Sequence, residues 1–576
     1  MFKKFWDINK EKFLLLLFLV TAFSLRIFNI NWDQGQHLHP DERFMTMVSS
    51  DIRLPQNIIQ YFDTNTSSLN PTNKKYDFYV YGTVPLIVTR FVAQVLNMTD
   101  YNNIFIVGRV LSAIFDTLII FILYKIGKLL KLQKRIIFIS LFFYSFAILP
   151  IQLSHFFTVD TFTVFFSTLS VYLFLSFLEK RKWWRLALCG LIFGIALASK
   201  ISIIITLPLF LIYLIIINLK NFRKILLYGS IFLLSIFLSF RIFQPYAFNG
   251  VVNFSPTFIK STSIAHQMVT GEYKYPPNIQ WQNTIPIINP LIDIFIFALG
   301  PIITLLSFYG FYIAFFKFKS KKKFLALFII LFCDFVFFYQ GIQLAKYLRY
   351  FYPIFPFLVL FAAIGFNALI KFKKIQLILL ILIVLNTLFF INIYLQTNSR
   401  ISASNWICEN FKKGSTITSE TWDDSLPLNL NSGCNSINYK SLPLDLYASD
   451  KPQKWQKLDQ QFKDANYLIL SSNRLWASIP NSSQQYPITA QFYKDLFDNK
   501  LAFSKIKTFY SYPGLSLPIN GCFLIGLKNY PSNQNNSSFF EFDKNCQNPG
   551  FYFRDDISQE SFTVYDHPQV IIFSRN

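Results

Sequence analysis

The stretch FLLLLFLVTAFSLRIFNI, residues 13–30, runs directly into NWDQGQHLHPDERF, residues 31–44. The first stretch is apolar and close to the roughly 20 residues that cross a bilayer as a helix. The second is polar and contains the carboxylates Asp33, Asp41 and Glu42. Carboxylates at a membrane face mark functional sites by default. The two stretches therefore predict a membrane protein with chemistry at the membrane surface.

Ten further apolar runs follow the first one. Of all residues 53% are hydrophobic and only 15% are charged, which argues against a wholly soluble protein. The eleven runs lie at 13–30, 104–124, 136–153, 160–178, 186–199, 201–218, 225–243, 291–316, 324–339, 350–368 and 375–394. They predict a mainly α-helical polytopic membrane protein with eleven transmembrane helices.

The net charge of +23 is unevenly distributed. Residues 396–576 hold 17 Lys and Arg against 16 Asp and Glu, so the excess lies in the first 395 residues, between apolar runs. A nucleic-acid-binding protein would concentrate its charge on a soluble surface, so nucleic acid is not an expected partner. The basic clusters contain Lys3, Lys4, Lys10 and Lys12; Lys125, Lys128, Lys131, Lys134 and Arg135; Lys180, Arg181, Lys182 and Arg185; Lys220, Arg223 and Lys224; Lys317, Lys319, Lys321, Lys322 and Lys323; Lys371, Lys373 and Lys374.

All of these clusters fall on one side when eleven spans are threaded. The positive-inside rule then places the N-terminus in the cytoplasm and residues 396–576 outside, as in a multi-pass protein of the cell (plasma) membrane. The first run resembles a signal peptide, but no small-residue cleavage site precedes Asn31, so we expect a retained helix.

Two domains are predicted. Residues 1–395 form a transmembrane catalytic domain with external loops at 31–103 and 244–290, and residues 396–576 form an extracytoplasmic soluble α/β domain. In the first loop, GTVPLIVTRFVAQVL (82–96) is too short and interrupted to span, which favours an interfacial helix. In the C-terminal domain, RISASNWICENFKKG predicts a helix, and STITSETWDD, YLILSS, CFLIGL and QVIIFS predict strands. Asp423, Asp424 and His567 are interpreted as turn residues.

Cysteine usage agrees with this topology. Cys408, Cys434, Cys522 and Cys546 lie in the external domain, whereas Cys189 and Cys333 lie in spans. Four external cysteines are compatible with two disulfides in three connectivities, or with free buried thiols.

Charged groups recur near the external face. QLSHFFTVD places His155 and Asp160 at an external turn. Six basic residues lie in or beside spans toward the external side: Arg26, Arg109, Lys200, Arg241, Lys346 and Arg349. Such charges need anionic partners, which Asp116, Asp334 or a lipid phosphate can supply, unless each snorkels independently to headgroups.

Asp41 has two interpretations. It is either a catalytic carboxylate or the N-cap or first-turn acid of a helix, because Pro40 precedes it and ERFMTMVSS follows. The sequence contains no Walker loop and no GxGxxG motif, so an outward-facing enzyme is expected to take its activated group from a lipid carrier.

PDERF (40–44) resembles the signature of the polyprenyl-phosphate-dependent glycosyltransferases of family 39, which include protein O-mannosyltransferases and the aminoarabinose transferase and share the GT-C fold. An ordered set of further motifs carries the same resemblance: YGTVPL, GRVLSAIFD, HFFTVD, LASK, PPNIQW, KYLRYFYPIFP and VYDHP. The C-terminal domain does not resemble the soluble insertion of the O-mannosyltransferases, so a lipid, a glycan and a protein all stay open as acceptors.

The resemblance implies inverting transfer of a sugar from a polyprenyl-phosphate donor to an acceptor hydroxyl at the external membrane face. Its implied catalytic residues are Asp41, as the base, and Glu42, as a supporting acid. The implied donor-phosphate ligands are Arg109, Lys200, Lys346, Arg349 and Tyr350. Candidate substrate-binding residues are His39, His155 and Asp160.

Two alternatives stay open. No cofactor is expected from the resemblance, but His37, His39, Asp41 and His155 carry ligand atoms suitable for a divalent metal. A polytopic lipid-linked glycan transporter or flippase without transferase activity also has many spans and buried charges. The large external loops and the carboxylates at the membrane face favour the enzyme.

Overall fold

The computed structural model describes residues 2–273, 275–532 and 538–576, apart from the side chains of residues 2–8 and 320. The Lys3 and Lys4 side chains of the first basic cluster therefore lie outside the described part. The chain is mainly helical up to residue 395 and mixed α/β beyond it. This arrangement confirms the predicted fold class.

The helices of the first part follow the apolar runs. They are α1 (Phe2–Ile27), α2 (Pro40–Asp51), α3 (Ile58–Phe62), α4 (Thr83–Val95), α5 (Tyr101–Leu129), α6 (Lys134–Ser145), α7 (Ile148–Ser154), α8 (Asp160–Lys180), α9 (Trp183–Ser199), α10 (Leu207–Ile216), α11 (Phe222–Phe243), α12 (Pro256–Thr270), α13 (Ile288–Asp293), α14 (Pro301–Lys317), α15 (Ser320–Gly341), α16 (Leu348–Phe351), α17 (Phe355–Ala368) and α18 (Lys373–Leu395). A short hairpin joins α11 to α12 and consists of β1 (Phe248–Asn249) and β2 (Asn253–Phe254).

Six stretches within the described residues are long and apolar enough to cross a membrane: Tyr101–Leu129, Asp160–Lys180, Phe222–Phe243, Lys321–Gly341, Leu348–Ala368 and Lys373–Asn410. A seventh is added if α6 and α7, bent by 52°, form one broken span. All eleven predicted runs are occupied by helix, but several of these helices are short. The protein is therefore a multi-pass membrane protein, and the number eleven stays a prediction.

The predicted interfacial segment at 82–96 contains α4. It packs on α2, α5 and α9, and its Phe91 and Val95 are exposed. One side of this helix is thus buried on the transmembrane helices and the other is apolar and open, which is consistent with a location at a bilayer surface.

The C-terminal part contains α19 (Ser399–Asn410), α20 (Pro452–Asp464), α21 (Pro487–Phe497), α22 (Glu560–Thr563), β3 (Thr416–Glu420), β4 (Lys440–Leu444), β5 (Tyr467–Leu470), β6 (Phe503–Phe509), β7 (Gly514–Ser516), β8 (Cys522–Ile525), β9 (Phe540–Asp543), β10 (Gly550–Phe553) and β11 (Val570–Arg575). One sheet has the order β4-β3-β5-β11-β6 and the other β7-β10-β8-β9. The predicted helix and the four predicted strands are all present. Disulfides join Cys408 to Cys434 and Cys522 to Cys546, which selects one of the three connectivities, and Cys189 and Cys333 are free and buried.

The larger sheet directs one edge toward the first external loop. β3 pairs in parallel with both β4 and β5, so the carboxyl ends of these strands lie at the same edge. In open sheets the loops at this edge form crevices where the strand order reverses direction. Here those loops include residues 421–424 and 471–474, and Asp424 forms an ion pair of 2.6 Å with Arg43 of α2.

The segment between β10 and β11 returns to the transmembrane helices. Phe562 packs against Phe297 and Phe390, and its carbonyl accepts a hydrogen bond of 2.7 Å from the Gln152 side chain. Asp566 accepts a hydrogen bond of 2.9 Å from the Tyr394 hydroxyl. These buried contacts hold the C-terminal part on the helices.

Candidate active site

The start of α2 determines where its two carboxylates point. His39 is the N-cap, and its Nδ1 accepts a hydrogen bond of 3.4 Å from the Glu42 amide, while Pro40 occupies the first turn. Asp41 therefore is not the capping residue, although it does lie in the first turn. Because His39 performs the capping, the Asp41 carboxylate is available for another partner.

That partner is Arg349 of α16, with which Asp41 forms an ion pair. About a fifth of each side chain stays exposed, 22% for Asp41 and 18% for Arg349. Burial alone would raise the pKa of Asp41, but the charge of Arg349 lowers it well below its usual range. Asp41 is thus an ionised carboxylate that solvent can reach.

A second ion pair lies beside the first. The Lys200 ammonium is 2.7 Å from the Asp160 carboxylate, and it lies 4.8 Å from the centre of the Tyr350 ring. The Arg349 guanidinium lies 5.9 Å from the centre of the same ring. Both cations therefore lie near the Tyr350 ring. Asp41, Asp160, Lys200, Arg349 and Tyr350 form what we call the cation cluster.

Gly82 in the YGTVPL motif brings the first external loop onto this cluster. Its amide donates a hydrogen bond of 3.1 Å to the Ser199 carbonyl, directly before Lys200. A Cβ at position 82 would collide with the backbone of Ala198 and Ser199, so only glycine permits this approach. The preceding Tyr81 is thereby held near Asp41, and burial, followed by the charge of Asp41, raises the pKa of the Tyr81 hydroxyl.

Glu42 points away from Asp41 into a fully buried ion triad. Its carboxylate pairs with Arg109, whose Nε donates at 2.9 Å, and it also accepts a 2.6 Å bond from the Phe157 amide. The other side of the Arg109 guanidinium donates two 3.0 Å bonds to Asp33. The three charged side chains have 0% exposure.

This triad corrects the predicted role of Arg109. Its nitrogens are all directed at protein groups and none is accessible to a phosphate, so Arg109 is a structural cation that fixes the first external loop on α5. Glu42, predicted as a supporting acid that pairs with a cation or binds the acceptor, pairs with this cation.

Lys346 is separate from the cation cluster. The residue is 3% exposed, and its ammonium donates to the Leu344 carbonyl at 3.2 Å and to the Thr284 hydroxyl at 3.4 Å. No ion pair joins it to a carboxylate among the described residues, and burial lowers its pKa. That Lys346 binds the donor phosphate stays a prediction.

The two histidines predicted to bind substrate are packing residues. His155 is fully buried, stacks on Tyr394 at 3.9 Å, and directs its ring nitrogens at the carbonyls of Ile151 and Phe28. His39 is 1% exposed and stacks on Tyr565 at 3.8 Å. Burial lowers the pKa of His39 to about 3, so this ring is neutral. Of the three predicted substrate-binding residues, only Asp160 lies in the cation cluster.

The predicted metal-ligand set is not assembled. His37 packs against Tyr101 and Phe105 at 4.3 and 4.7 Å, His155 packs on Tyr394, and Asp41 pairs with Arg349. In the part of the chain that the structure describes, no group of three or more His, Cys, Asp or Glu is arranged to hold a metal ion. The four residues are therefore not brought together here, and metal dependence or independence stays a prediction.

The two remaining cations of the predicted set also have protein partners. Arg26 pairs with Asp116, as the sequence allowed, while Arg241 donates to the carbonyls of Val251 and Gly250. Together with the pairs of Arg109, Lys200 and Arg349, these contacts argue against independent snorkelling as a general explanation.

The sequence predicts that the C-terminal part recognises the acceptor or docks on the membrane domain, but it does not identify the residues that reach the site. Tyr565 reaches His39, and Arg43 is paired with Asp424. The motif VYDHP is the part of the sequence that indicated such a contact, because a tyrosine and a histidine flank its aspartate, but a turn was the simpler interpretation.

The comparisons with known proteins agree with this fold. The family described as "Dolichyl-phosphate-mannose-protein mannosyltransferase" matches residues 85–243. No curated protein sequence matches the chain.

Several solved structures are similar. The Archaeoglobus fulgidus oligosaccharyltransferase, tethered with an acceptor peptide containing the NVT sequon, is 12% identical, covers 86% of this chain and 72% of its own, and gives a TM-score of 0.51. The same organism's AglB, in complex with an inhibitory peptide and a dolichol-phosphate, is 12% identical, covers 86% of this chain and 73% of its own, and gives a TM-score of 0.51. ArnT from Cupriavidus metallidurans, bound to undecaprenyl phosphate, is 12% identical, covers 81% of this chain and 94% of its own, and gives a TM-score of 0.41.

The resemblance indicated by PDERF and the ordered motifs is confirmed: the chain is a multi-pass membrane protein with a GT-C fold that resembles the polyprenyl-phosphate-dependent glycosyltransferases of family 39.

Proposed function

We propose that this protein transfers a sugar from a polyprenyl-phosphate-linked donor to an acceptor hydroxyl, with inversion, at the extracytoplasmic face of the membrane. The observation that carries the proposal is the cation cluster. An ionised carboxylate, Asp41, is paired with the cation Arg349, and a second cation, Lys200, lies near the same Tyr350 ring as Arg349; all three charged residues are partly exposed. This is the combination that a base and a phosphate leaving group require.

In the proposed step, Asp41 accepts the proton of the acceptor hydroxyl. The hydroxyl oxygen forms a bond to the anomeric carbon while the bond from that carbon to the phosphate oxygen breaks on the opposite face. The electron pair of the broken bond stays on the phosphate, and Lys200 and Arg349 stabilise the charge that develops there. Tyr350, near both cations, adds a hydroxyl for the phosphate.

The ion pair of Asp41 with Arg349 gives the free enzyme a weak base, because Arg349 lowers the pKa of Asp41. A donor phosphate competes for the same guanidinium. When Arg349 turns to the phosphate, Asp41 loses part of this stabilisation and becomes more basic. The base is thus strengthened only when the leaving group is in place.

The remaining assignments belong to the same proposal. Residues 1–395 form the catalytic transmembrane domain, residues 396–576 lie outside the cytoplasm, and the reaction needs no cofactor. The basic clusters between the spans and the disulfides Cys408–Cys434 and Cys522–Cys546 support an external, oxidising location for the C-terminal part.

The decisive experiment is a transfer assay in proteoliposomes, with radiolabelled polyprenyl-phosphate mannose and other polyprenyl-phosphate sugars as donors. We expect turnover of at least one donor, unchanged by a chelator, and strongly reduced by Asp41→Asn. Glu11→Gln is the matched control, because Glu11 pairs with Lys128 and Lys134 away from the cation cluster. If no donor is consumed by well-folded protein, the proposed function is wrong.

A further inference from the structure

A further ion pair near that of Asp41 and Arg349 comes from the C-terminal part. Arg474 donates from Nε to Glu560 at 3.1 Å, with 11% and 4% of these side chains exposed. Both ion pairs lie close to Tyr275 and Tyr565. Arg474 donates to the carbonyl of Trp422, whose ring packs on Tyr275, and Tyr565 stacks on His39, two positions before Asp41.

These two tyrosines line the space with polar groups that lack partners. Tyr565 is 7% exposed, and its ring is fixed on His39 at 3.8 Å. Neither its hydroxyl nor that of Tyr275 forms a hydrogen bond with another described residue. Both hydroxyls are therefore available to donate and accept hydrogen bonds with a ligand that enters the space.

Trp422 forms the rim of the space. Its side chain is 43% exposed and lies edge to face with Tyr275 at 5.8 Å. Its φ is +85°, in the left-handed region that a tryptophan rarely adopts, and its carbonyl is held by a 2.6 Å bond from Arg474. Such strained residues concentrate at functional sites. Trp422 also lies at the carboxyl end of β3, at the sheet edge that favours ligand binding.

The residues around this space suit an uncharged ligand. Each of its charges is already compensated within an ion pair, so no charge is left over to select an ionic group. Aromatic rings and hydroxyls remain, which suit the apolar faces and hydroxyls of a sugar.

We propose that Tyr275, Trp422 and Tyr565 form an acceptor subsite that binds a saccharide, and that it directs one sugar hydroxyl at Asp41. This inference rests on the proposed function and names its acceptor class. The C-terminal part thus contributes substrate contacts in addition to its structural contacts.

The test measures saccharide binding without the donor. Full-length protein in nanodiscs is mixed with mannotriose and a panel of methyl glycosides, and saturation-transfer NMR records binding. We expect signals with the wild-type protein and an affinity about tenfold lower in Tyr565→Phe and in Tyr275→Phe, the loss of one hydrogen bond. Tyr565→Phe keeps the ring that stacks on His39. Tyr439→Phe, remote from the site, is the control that should keep wild-type binding.

Equal affinity in the two variants and the wild type overturns the subsite, and so does the absence of signal from every saccharide. Binding of a Ser- and Thr-containing peptide instead of the saccharides also overturns it, in favour of a peptide acceptor. Because no donor is present, these outcomes are independent of the transfer assay. A protein that binds saccharides but consumes no donor would keep the subsite and lose the proposed reaction.

Discussion

The Asp41 carboxylate forms an ion pair with the Arg349 guanidinium although the two residues are 308 positions apart. The pair joins the first turn of α2 to α16, two segments that each follow a long apolar helix. Because both side chains stay partly exposed, a substrate phosphate has access to the cation and an acceptor has access to the carboxylate.

Asp41→Asn should abolish most of the transfer activity. The amide is no base, so we expect a loss of about a hundred- to ten-thousand-fold in the initial rate at saturating donor. Thermal unfolding should change little, since a partly exposed ion pair contributes about 0 to 1 kcal/mol, and the N-cap His39 is untouched. Near-normal turnover would remove Asp41 as the base and direct attention to Asp160.

Arg349→Ala and Lys200→Ala should weaken use of the donor. Each removes a charge-assisted contact to phosphate, worth about 1.5 to 3 kcal/mol, or about a ten- to hundred-and-fifty-fold change in donor affinity. Titration with an undecaprenyl phosphate measures this directly. Lys128→Ala, which removes a surface partner of Glu11, serves as the control. Unchanged donor affinity in both variants would show that these two cations do not bind the donor phosphate and have a structural role.

The sequence predicts which residues belong to the cation cluster better than it predicts how they pair. Asp41, Lys200 and Arg349 stand out because charges near apolar runs need a reason, and the structure places them together. Arg109 satisfies the same criterion, yet it serves Asp33 and Glu42. A single sequence does not say which carboxylate meets which cation, because that depends on the packing of helices far apart in the chain. Tyr565 was missed for the same reason.

Arg109→Ala should destabilise the protein rather than affect donor binding. It leaves the fully buried carboxylates of Asp33 and Glu42 without their cation, which costs about 3 to 5 kcal/mol. The expected result is a large drop in the unfolding temperature, with normal donor affinity in whatever protein stays folded. Arg349→Ala, removing a more exposed cation, should give the reverse pattern. A stable Arg109→Ala variant with weakened donor binding would restore Arg109 as a phosphate ligand.

Topology is open to a direct test with reporters. The one-sided basic clusters predict that a reporter fused after Asn576 is active outside the cytoplasm and that one inserted near Ser320 is active inside. Alkaline phosphatase and green fluorescent protein fusions form a complementary pair. A cytoplasmic C-terminus would contradict the external site, and it would also be difficult to reconcile with the two disulfides.

The stability of the C-terminal segment should depend on pH through His567. Its ring is buried between Asp566 and Asp555, with 2.9 Å from Nε2 to Asp555. Burial alone would lower the pKa of His567, but the two carboxylates raise it to about 10. A raised pKa means that the protonated ring stabilises the fold fully below about pH 6.5, and that this contribution is lost as the pH rises through about 10.

We therefore expect the unfolding temperature of the wild-type protein to fall from pH 7 to pH 10, with a free-energy slope of up to about 1.4 kcal/mol per pH unit. His567→Gln should be less stable at pH 7 and should lack this slope, whereas His266→Gln, at an exposed position of α12, should behave as wild type. Because Tyr565 lies two positions before His567 and stacks on His39, His567→Gln should also lower transfer activity at neutral pH. A parallel pH dependence in the wild type and in His567→Gln would assign the slope to other groups.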